Sequence, residues 1–567
     1  MGYRFSQTLV AMLVMLLTCV SWAEQALQDT TVPPQTEQGL NSGTDMMDAD
    51  ESNRVVAPPT INEILDQLTS RSFDDKEAAI RQLANQKNPR VIPLLNALMN
   101  RELVHNRKDD TIALGEKQDG QWELRDPTTE EVVGHVDSRA ARPVVINNRL
   151  RTVINNQLAL SGLNDPDSDV RYQAAGQLIG NDDPEMLTAL GERREQESSQ
   201  RVLDQIETAL NIAALQSDDL TARLNAIDAL SGNLHPEVKN SLNSRLSVTD
   251  NASETRALEQ ALKKIDARIS TFQTADTVFF GLSLGSVLLL AAIGLAITFG
   301  VMGVINMAHG ELIMLGAYTT YVVQQLLPNS HEWSLLIAIP AAFLVSALTG
   351  ILIERFVIRF LYGRPLETLL ATFGVSLILQ QAVRVIFSPL NRTVITPEWM
   401  SGALEINPVF SLTYNRLYII FFALAVFLAL LTLLKRTRLG LQVRAVSQNR
   451  TTARALGIRS ERVNALTFGL GSGIAGVAGV ALAQLTNVGP NLGQSYIIDS
   501  FMVVVFGGVG NLWGTLTAAF GLGIANKLLE PMAGAVLAKI IVLIFIILFI
   551  QRKPRGLFPQ RGRAAEE

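Results

Sequence analysis

The sequence predicts an all-α protein in two parts, an exported helical-repeat domain followed by a polytopic membrane helical bundle of about nine crossings. Three observations predict it: long apolar runs fill the second half, a helical motif recurs in the first half, and the charge changes sign between them. Residues 276–567 carry 21 Lys/Arg and 12 Asp/Glu, whereas residues 1–275 carry 27 and 41. An acidic front and a basic, apolar back indicate two parts in different surroundings.

The first 23 residues have the pattern of a secretory signal peptide. Arg4 precedes an apolar run at residues 9–20, and Ala23 supplies a small residue at a cleavage position. The run is short for a stable membrane span, although an uncleaved N-terminal anchor is the alternative. Residues 24–59 are rich in Gln, Thr, Asp and Pro, and we expect them to form a disordered spacer.

A helical motif recurs three times within residues 60–270. Its alanine and leucine, four positions apart, share one helical face, and the small alanine lets a neighbouring helix approach closely. Its proline suits the first position of a second helix. The motif therefore predicts an exported stack of helical hairpins of the HEAT kind. Its copies are Lys76-Ala79-Leu83-Pro89, Arg171-Ala174-Leu178-Pro184 and Arg223-Ala226-Leu230-Pro236.

An insertion explains the longer gap between the first two copies. Residues 111–114 and 121–124 flank a turn-rich segment at 115–120. This pattern predicts a small β-hairpin within an insertion near 102–146.

The residues that could hold a metal are few and scattered. His105, His135 and His235 stand singly, and the only cysteine, Cys19, lies in the predicted signal peptide. Surface or capping histidines are therefore favoured over metal ligands. We expect no catalytic residues, no cofactor, no metal and no nucleic-acid partner.

The second half carries apolar runs, most of them long enough to cross a bilayer. Three basic clusters accompany them, at residues 355–364, 435–462 and 552–563, and the positive-inside rule places all three in the cytoplasm. This predicts a transmembrane permease domain over 276–552 and a cytoplasmic tail at 553–567. The runs are 278–300, 311–327, 335–353, 366–387, 417–434, 463–485, 497–529 and 536–550.

Alternation of the runs tests this assignment. With residues 24–275 on the periplasmic side of a bacterial inner membrane, the last basic cluster falls inside only if run 497–529 crosses twice or re-enters. The glycine-rich stretch 507–514 can break that run, which gives about nine crossings. For a second glycine cluster, close helix packing is favoured over lining a pathway. Its members are Gly469, Gly471, Gly473, Gly476 and Gly479.

Polar residues occur between the apolar runs and near their ends, where placing a polar side chain in the membrane costs free energy. Residues 306–311 read Asn-Met-Ala-His-Gly-Glu between the first two runs, and Lys527 and Glu530 lie near the end of the seventh. His309 could titrate near neutral pH, and a capping or turn role is at least as good an explanation.

The loop at 435–462 predicts short basic amphipathic helices, with Val443, Val446, Ala453 and Leu456 at helical spacing. Such a helix suits docking in a groove of a partner. A loop facing solvent or lipid headgroups is the alternative. The chain has no Gly-x4-Gly-Lys-Ser/Thr motif, so any ATP that drives it must be hydrolysed by another subunit.

The membrane half contains four groups of motif residues, at 300–318, 364–366 with 371–376, 437–446 with 453–458, and 506–510. These residues resemble signatures of the branched-chain amino-acid permease family of ABC importers. Met307 departs from the pattern, since Phe is expected in the amino-acid members. The resemblance implies a non-enzymatic permease in a heterodimer with a second permease subunit, two cytoplasmic ATPase subunits and a periplasmic solute-binding protein.

The resemblance also implies which residues act. The translocation path is assigned to Asn306, His309, Gly310, Glu311, Thr372, Gly374, Gly507, Gly508 and Gly510. Docking of the ATPase is assigned to Arg444, Ala445, Gln448, Asn449, Ala453, Leu456 and Gly457.

The exported domain ahead of the permease resembles the arrangement in urea-importing members of the family, because amino-acid members usually begin at the first membrane helix. We therefore expect urea as the solute, with short-chain amides or branched-chain amino acids as alternatives. A passive channel with an exported regulatory domain and a membrane-anchored scaffold are the rival classes. The solute assignment rests on this analogy, not on a site.

Overall fold

The computed structural model describes residues 59–86, 88–118, 121–328 and 330–558. The predicted signal peptide, nearly all of the predicted spacer and residues 559–567 of the predicted tail lie outside these ranges. The chain divides into two compact units, residues 1–64 and 65–567. In the first unit, the described residues 59–64 include the start of helix α1 (Ile61–Gln67).

In the second unit, the front part consists of helices that pack on helices close to them along the chain. These contacts form a helical stack, and its assignment to the HEAT kind stays a prediction. The helices are α2 (Phe73–Ala84), α3 (Val91–Asn100), α4 (Asn148–Gly162), α5 (Ser168–Gln177), α6 (Pro184–Gln196), α7 (Gln200–Ala214), α8 (Leu220–Leu230), α9 (Pro236–Val248) and α10 (Ala252–Met302).

The recurring motif lies at the packed faces. Its alanines and leucines are at most 5% exposed. Pro184 and Pro236 are the first residues of α6 and α9, as predicted. The prediction for Pro89 is wrong: α3 begins at Val91, because Asn88 accepts a hydrogen bond from the amide of Val91 and extends the turn past the proline.

The basic residue of the motif joins three segments of the stack. In the second copy, Arg171 Nε and Nη2 donate to the two carboxylate oxygens of Glu197 at 2.8 and 2.9 Å. Arg171 Nη1 donates to the carbonyls of Asp165 and Pro166, and Arg193 donates to the same carboxylate. The fully buried Glu197 carboxylate thus holds the start of α5 to the end of α6.

The third copy repeats this network. Arg223 donates to both oxygens of Glu254, which is also fully buried, and to the carbonyls of Ser217 and Asp218. Arg245 donates to Glu254 in the place that Arg193 takes in the second copy. In these two copies the motif therefore encodes a buried ion network as well as an apolar face, whereas in the first copy Lys76 Nζ donates to the carbonyl of Val145 at 2.9 Å.

We expect Glu197→Gln to destabilise the chain by about 2 kcal/mol at pH 7, because two arginines would lose their buried counter-charge. Hydrogen bonds from Arg171 hold the pKa of Glu197 far below its ordinary value. A carboxyl with a lowered pKa stabilises the fold above its unfolded pKa of about 4.3 and loses that contribution as the pH falls below it.

The difference between Glu197→Gln and the unmodified chain should therefore shrink from pH 7 to pH 3. Thermal melts of the full chain in detergent at both pH values measure it. The matched control is Glu195→Gln, which changes an exposed carboxylate on the same helix. Equal melting temperatures at pH 7 would contradict the structural role of Glu197.

In the described part of the chain, residues 103–143 form a five-stranded antiparallel sheet of order β4-β3-β2-β1-β5. The predicted hairpin is the β2–β3 pair, with Lys117 opposite Trp122. The sequence predicted only this hairpin and missed the larger sheet, in which β1 pairs with the distant β5 as well as with β2. The fold is therefore not purely helical. The strands are β1 (Leu103–Asn106), β2 (Thr111–Gln118), β3 (Gln121–Arg125), β4 (Val132–Asp137) and β5 (Ala141–Pro143).

Helix α10 joins the front part to the apolar part without a break. It is 51 residues long and runs through residues 270–276, where the sequence suggested a boundary between domains. Leu258 and Ile265 in its first half are buried against Ile227 and Leu230 of α8. Its second half, around residues 287–297, lies in the largest apolar core of the chain.

Within the described ranges, six helices are long and apolar enough to cross a membrane by length and composition: α10, α12, α13, α14, α17 and α19. The predicted break in run 497–529 is confirmed, since α18 ends at Gly507 and α19 starts at Leu512. Helix α19 contains a second interruption at Gly534, where φ is 77°. The bounds are α11 (His309–Leu326), α12 (His331–Phe356), α13 (Pro365–Phe387), α14 (Tyr414–Arg436), α15 (Arg438–Gln448), α16 (Arg450–Ala455), α17 (Ser460–Ala483), α18 (Leu492–Gly507) and α19 (Leu512–Arg552), with strands β6 (Ala403–Asn407) and β7 (Phe410–Thr413) paired as a hairpin.

The second glycine cluster is a packing surface, as predicted. A Cβ on Gly476 would lie 2.5 Å from the carbonyl oxygen of Ala342, and one on Gly471 would lie 2.7 Å from that of Gly294. Gly479 faces the backbone of α11. Helix α17 is therefore packed backbone to backbone against α10, α11 and α12 at once.

We expect Gly476→Val to destabilise the chain by about 3 kcal/mol or to prevent its accumulation in the membrane, because the branched side chain would push α12 away from α17. The control is Gly521→Val on α19, where an added Cβ meets no described atom within 4 Å. Yield and melting temperature in detergent test this. Similar values for the two variants would contradict the packing role.

Candidate functional site

Helix α11 begins deep inside the apolar part. The ring nitrogen Nε2 of His309, its first residue, donates to the carbonyl oxygen of Ala291 at 2.9 Å. Ala291 lies about three turns before the end of α10 at Met302. The chain turns at Gly303, where φ is 66°, and residues 303–308 run back alongside α10 before α11 starts.

The starts of α11 and α18 touch each other. A Cβ on Gly310 would lie 2.6 Å from the carbonyl oxygen of Gly493, and a Cβ on Gly493 would collide with the carbonyl of Gly310. Gly310 therefore has a packing role that excludes any larger side chain. Two helix N-termini therefore meet within the bundle, and each of them carries a partial positive charge.

A polar stripe runs along one face of α13. Thr368, Thr372, Ser376 and Gln380 follow one another at every fourth position and are at most 6% exposed. Exposed large apolar side chains such as Leu370 and Ile378 occupy the other faces. The stripe is what α13 presents to the interior of the bundle.

The stripe is hydrogen-bonded to the start of α11. Ser376 Oγ and Gln380 Nε2 donate to Glu311 Oε1 at 3.0 and 2.7 Å. The amide of Met307 donates to Thr372 Oγ1 at 3.1 Å. We call Asn306, Glu311, Thr372, Ser376 and Gln380 the polar seam.

Three polar atoms at the start of α11 are buried with no hydrogen-bond partner among the described residues. They are Asn306 Nδ2, His309 Nδ1 and Glu311 Oε2. Their three side chains are at most 1% exposed. Unpaired buried polar groups are costly and unusual, and in a membrane they mark functional positions. The seam thus holds a free donor and a free acceptor.

The structure brings together four of the residues predicted for the path, namely Asn306, His309, Glu311 and Thr372. Gly374 lies on α13, and a Cβ there would meet no described atom within 4 Å. Ser376 and Gln380 were missed, although their spacing of four residues within an apolar run was a readable signal.

The other three predicted glycines form the turn between α18 and α19. Gly508 and Gly510 have φ of 103° and 80°, which favours glycine. Gly507 packs against Gly514, and Gly510 against Gly300. Their contacts are with helix backbones and with Phe558 rather than with the polar seam.

The predicted docking loop forms α15 and α16. Arg444, Gln448, Asn449, Leu456 and Gly457 are exposed, with Leu456 at 77%. Asn449 caps α16 by accepting from the amide of Thr452 at 2.9 Å. Two of the predicted docking residues are not exposed. Ala445 is half-buried. Ala453 is buried against Val443, Val446 and Val463, so it stabilises the packing beneath the exposed surface.

No cluster of three His, Cys, Asp or Glu side chains with the geometry of a metal site occurs in the part of the chain that the structure describes. His235 caps α9, accepting from the amide of Glu237, and burial lowers the pKa of its ring.

Comparison with known proteins concerns the second half of the chain. A family model described as "Branched-chain amino acid transport system / permease component" matches residues 277–550. No solved structure matches the chain.

Three curated relatives illustrate the match. The chain is 30% identical over 286 residues to the high-affinity branched-chain amino acid transport system permease protein BraD of Pseudomonas aeruginosa. This alignment covers 49% of this chain and 93% of the relative. It is 31% identical over 291 residues to the corresponding protein LivH of Escherichia coli, covering 49% and 94%. It is 27% identical over 324 residues to the ribose import permease protein RbsC of Escherichia coli, covering 51% and 89%.

Proposed function

Because this chain belongs to the family of branched-chain amino acid transport permease components, we propose that it forms the translocation path for urea in an importer driven by ATP hydrolysis on separate subunits. The observation that carries the importer class is the similarity to BraD, which spans 93% of that relative. The chain itself is a permease and not an enzyme.

Urea as the solute is supported by the part of the chain that the relatives do not match. Each match covers nearly all of the relative and about half of this chain, so the front part lies outside it. An exported domain of this kind ahead of the permease resembles urea-importing members. Branched-chain amino acids are the second candidate, favoured by the names of the relatives, and short-chain amides are the third.

The polar seam has the chemistry that a small neutral amide needs. Urea offers N–H donors and one carbonyl acceptor, and the seam holds a free acceptor at Glu311 Oε2 and a free donor at Asn306 Nδ2. A solute passing between α11 and α13 would replace the bonds that Ser376 and Gln380 make to Glu311. Gly374 lies on α13 two positions from both Thr372 and Ser376, so the open space at its Cβ position is on a different face of the helix from the stripe.

We propose the following assembly: a heterodimer with a second permease subunit, two cytoplasmic ATPase subunits docked on α15 and α16, and a periplasmic solute-binding protein. Residues 24–275, with their helical repeats of the HEAT kind, lie in the periplasm after signal-peptide removal. Nine crossings of a bacterial inner membrane fit this assembly. They comprise the six long helices, α11 and α18, with α19 counted twice because it is interrupted at Gly534.

The solute is tested by uptake of radiolabelled urea and leucine in cells with and without this gene. We expect loss of the gene to remove ATP-dependent urea uptake and to leave leucine uptake unchanged. A loss confined to leucine would replace urea by the second candidate.

The same assay separates the importer from a passive channel. Deletion of residues 445–457 should abolish ATP-dependent uptake, because the docking helices are lost. Uptake that survives both this deletion and depletion of cellular ATP would overturn the importer.

The seam is tested by Glu311→Gln, which keeps the size of the side chain and replaces an acceptor by a donor. We expect kcat/KM for uptake to fall about tenfold or more, equivalent to about 1.4 kcal/mol in transition-state stabilisation. The control is Thr349→Val, since Thr349 is half-buried on α12 and its hydroxyl bonds only within its own helix. Unchanged uptake by Glu311→Gln would remove the seam from the path.

A further inference from the structure

Tyr362 lies where the docking helices meet the end of a membrane helix. It stands in the short loop between α12 and α13. Its hydroxyl donates to Glu354 Oε1, in the last turn of α12, at 2.8 Å. The guanidinium carbon of Arg450, the first residue of α16, lies 4.6 Å from the centre of its ring. One side chain therefore contacts both α12 and α16.

The two contacts of Tyr362 are chemically different, which makes them separable. A guanidinium over an aromatic face is a cation–π contact and depends only on the ring. The bond to Glu354 depends on the hydroxyl, which also interacts with the side chain of Asn464 on α17. Burial and the neighbouring Glu354 carboxyl raise the pKa of the Tyr362 phenol, so the hydroxyl stays protonated and able to donate.

Glu354 makes the bond structurally important. Its side chain is 1% exposed, and its second oxygen has no hydrogen-bond partner within the described ranges. A buried carboxylate with few partners holds tightly to the donor that it has. Displacement of the Tyr362 hydroxyl would therefore pull on the end of α12.

From α12, packing leads on to the polar seam. Gly350 lies against Ser472, and Ala342 against Gly476, so α12 and α17 are packed too closely to slide independently. Ser346 Oγ on α12 donates to the carbonyl of Leu312 at 3.0 Å. Leu312 follows Glu311 directly, so the contacts run without a gap from α16 to the seam.

We propose that Tyr362 is the positioning residue that couples the docking helices α15 and α16 to α12, and through α12 to the polar seam. The inference rests on the proposed function, because it assumes that an ATPase partner moves α16. When α16 is displaced, Arg450 carries the ring of Tyr362 with it, and the hydroxyl transmits the movement to Glu354. A contiguous set of contacts becomes a coupling route only when coupling is measured.

The test uses the complete importer in proteoliposomes, with solute uptake and ATP hydrolysis measured together. Tyr362→Phe keeps the ring and its contact with Arg450 and removes only the hydroxyl. We expect at least a fivefold fall in solute transported per ATP hydrolysed, with unchanged hydrolysis and unchanged co-purification of the ATPase subunits. The control is Tyr418→Phe, which removes a hydroxyl from the exposed face of α14.

Variants of the acceptor distinguish coupling from a structural defect. Glu354→Gln keeps a carbonyl oxygen for the hydroxyl and should retain most of the transport per ATP. Glu354→Leu should match Tyr362→Phe, and the double variant Tyr362→Phe with Glu354→Leu should be no worse than either alone. Additive losses in the double variant would overturn the proposal.

Two further outcomes are decisive. Unchanged transport per ATP in Tyr362→Phe, or a fall in uptake matched by an equal fall in hydrolysis and ATPase binding, would overturn the coupling role. Absence of ATP-driven uptake of urea and leucine by the unmodified complex would overturn the proposed function and this inference with it. If the unmodified complex carries leucine instead, the ratio is measured with leucine.

Discussion

The arrangement of the membrane half depends on the contact between Gly310 and Gly493. Because neither residue has a Cβ, the first turns of α11 and α18 lie backbone to backbone inside the bundle. The bond from His309 to the carbonyl of Ala291 also places the start of α11 about three turns short of the end of α10, so residues 303–308 run back into the bundle to reach that point. This return brings Met307 to α13, where its amide donates to Thr372 Oγ1 in the polar seam.

Helix α13 differs from its neighbours in how it is held. Helices α10, α11, α12 and α17 meet through glycines and cannot separate without losing close backbone packing. Helix α13 meets α11 through hydroxyl, amide and carboxylate groups, and most of its apolar surface is exposed. Polar bonds to a helix can be exchanged for bonds to a passing solute, whereas packing cannot. In the proposed transport cycle, α13 is therefore the helix best suited to change position.

Local patterns were readable from the sequence, and contacts between distant segments were not. The break at Gly507–Gly514, the packing role of Gly476 and the polar group at residues 306–311 follow from spacing and from the cost of polarity in an apolar run. The sequence predicted one hairpin where the structure has five strands, because the pairing of β1 with β5 joins distant segments and leaves no local signal. The basic residue of the repeat motif could be seen, but its partners Glu197 and Glu254 lie 26 and 31 residues away. Tyr362 carried no signal, since its importance comes from Glu354 and Arg450 on two other elements.

The uninterrupted helix α10 makes the front part and the apolar core one mechanical body. At 51 residues it is a rod about 77 Å long, and each residue in it turns the chain by about 100°. The length of this helix sets the direction in which the helical stack points around the axis of α10. Insertion of a single residue near Thr274 would swing the whole stack to another side, whereas a flexible linker would absorb it. A change in the length of α10 therefore keeps this orientation only when it comes close to a whole number of turns.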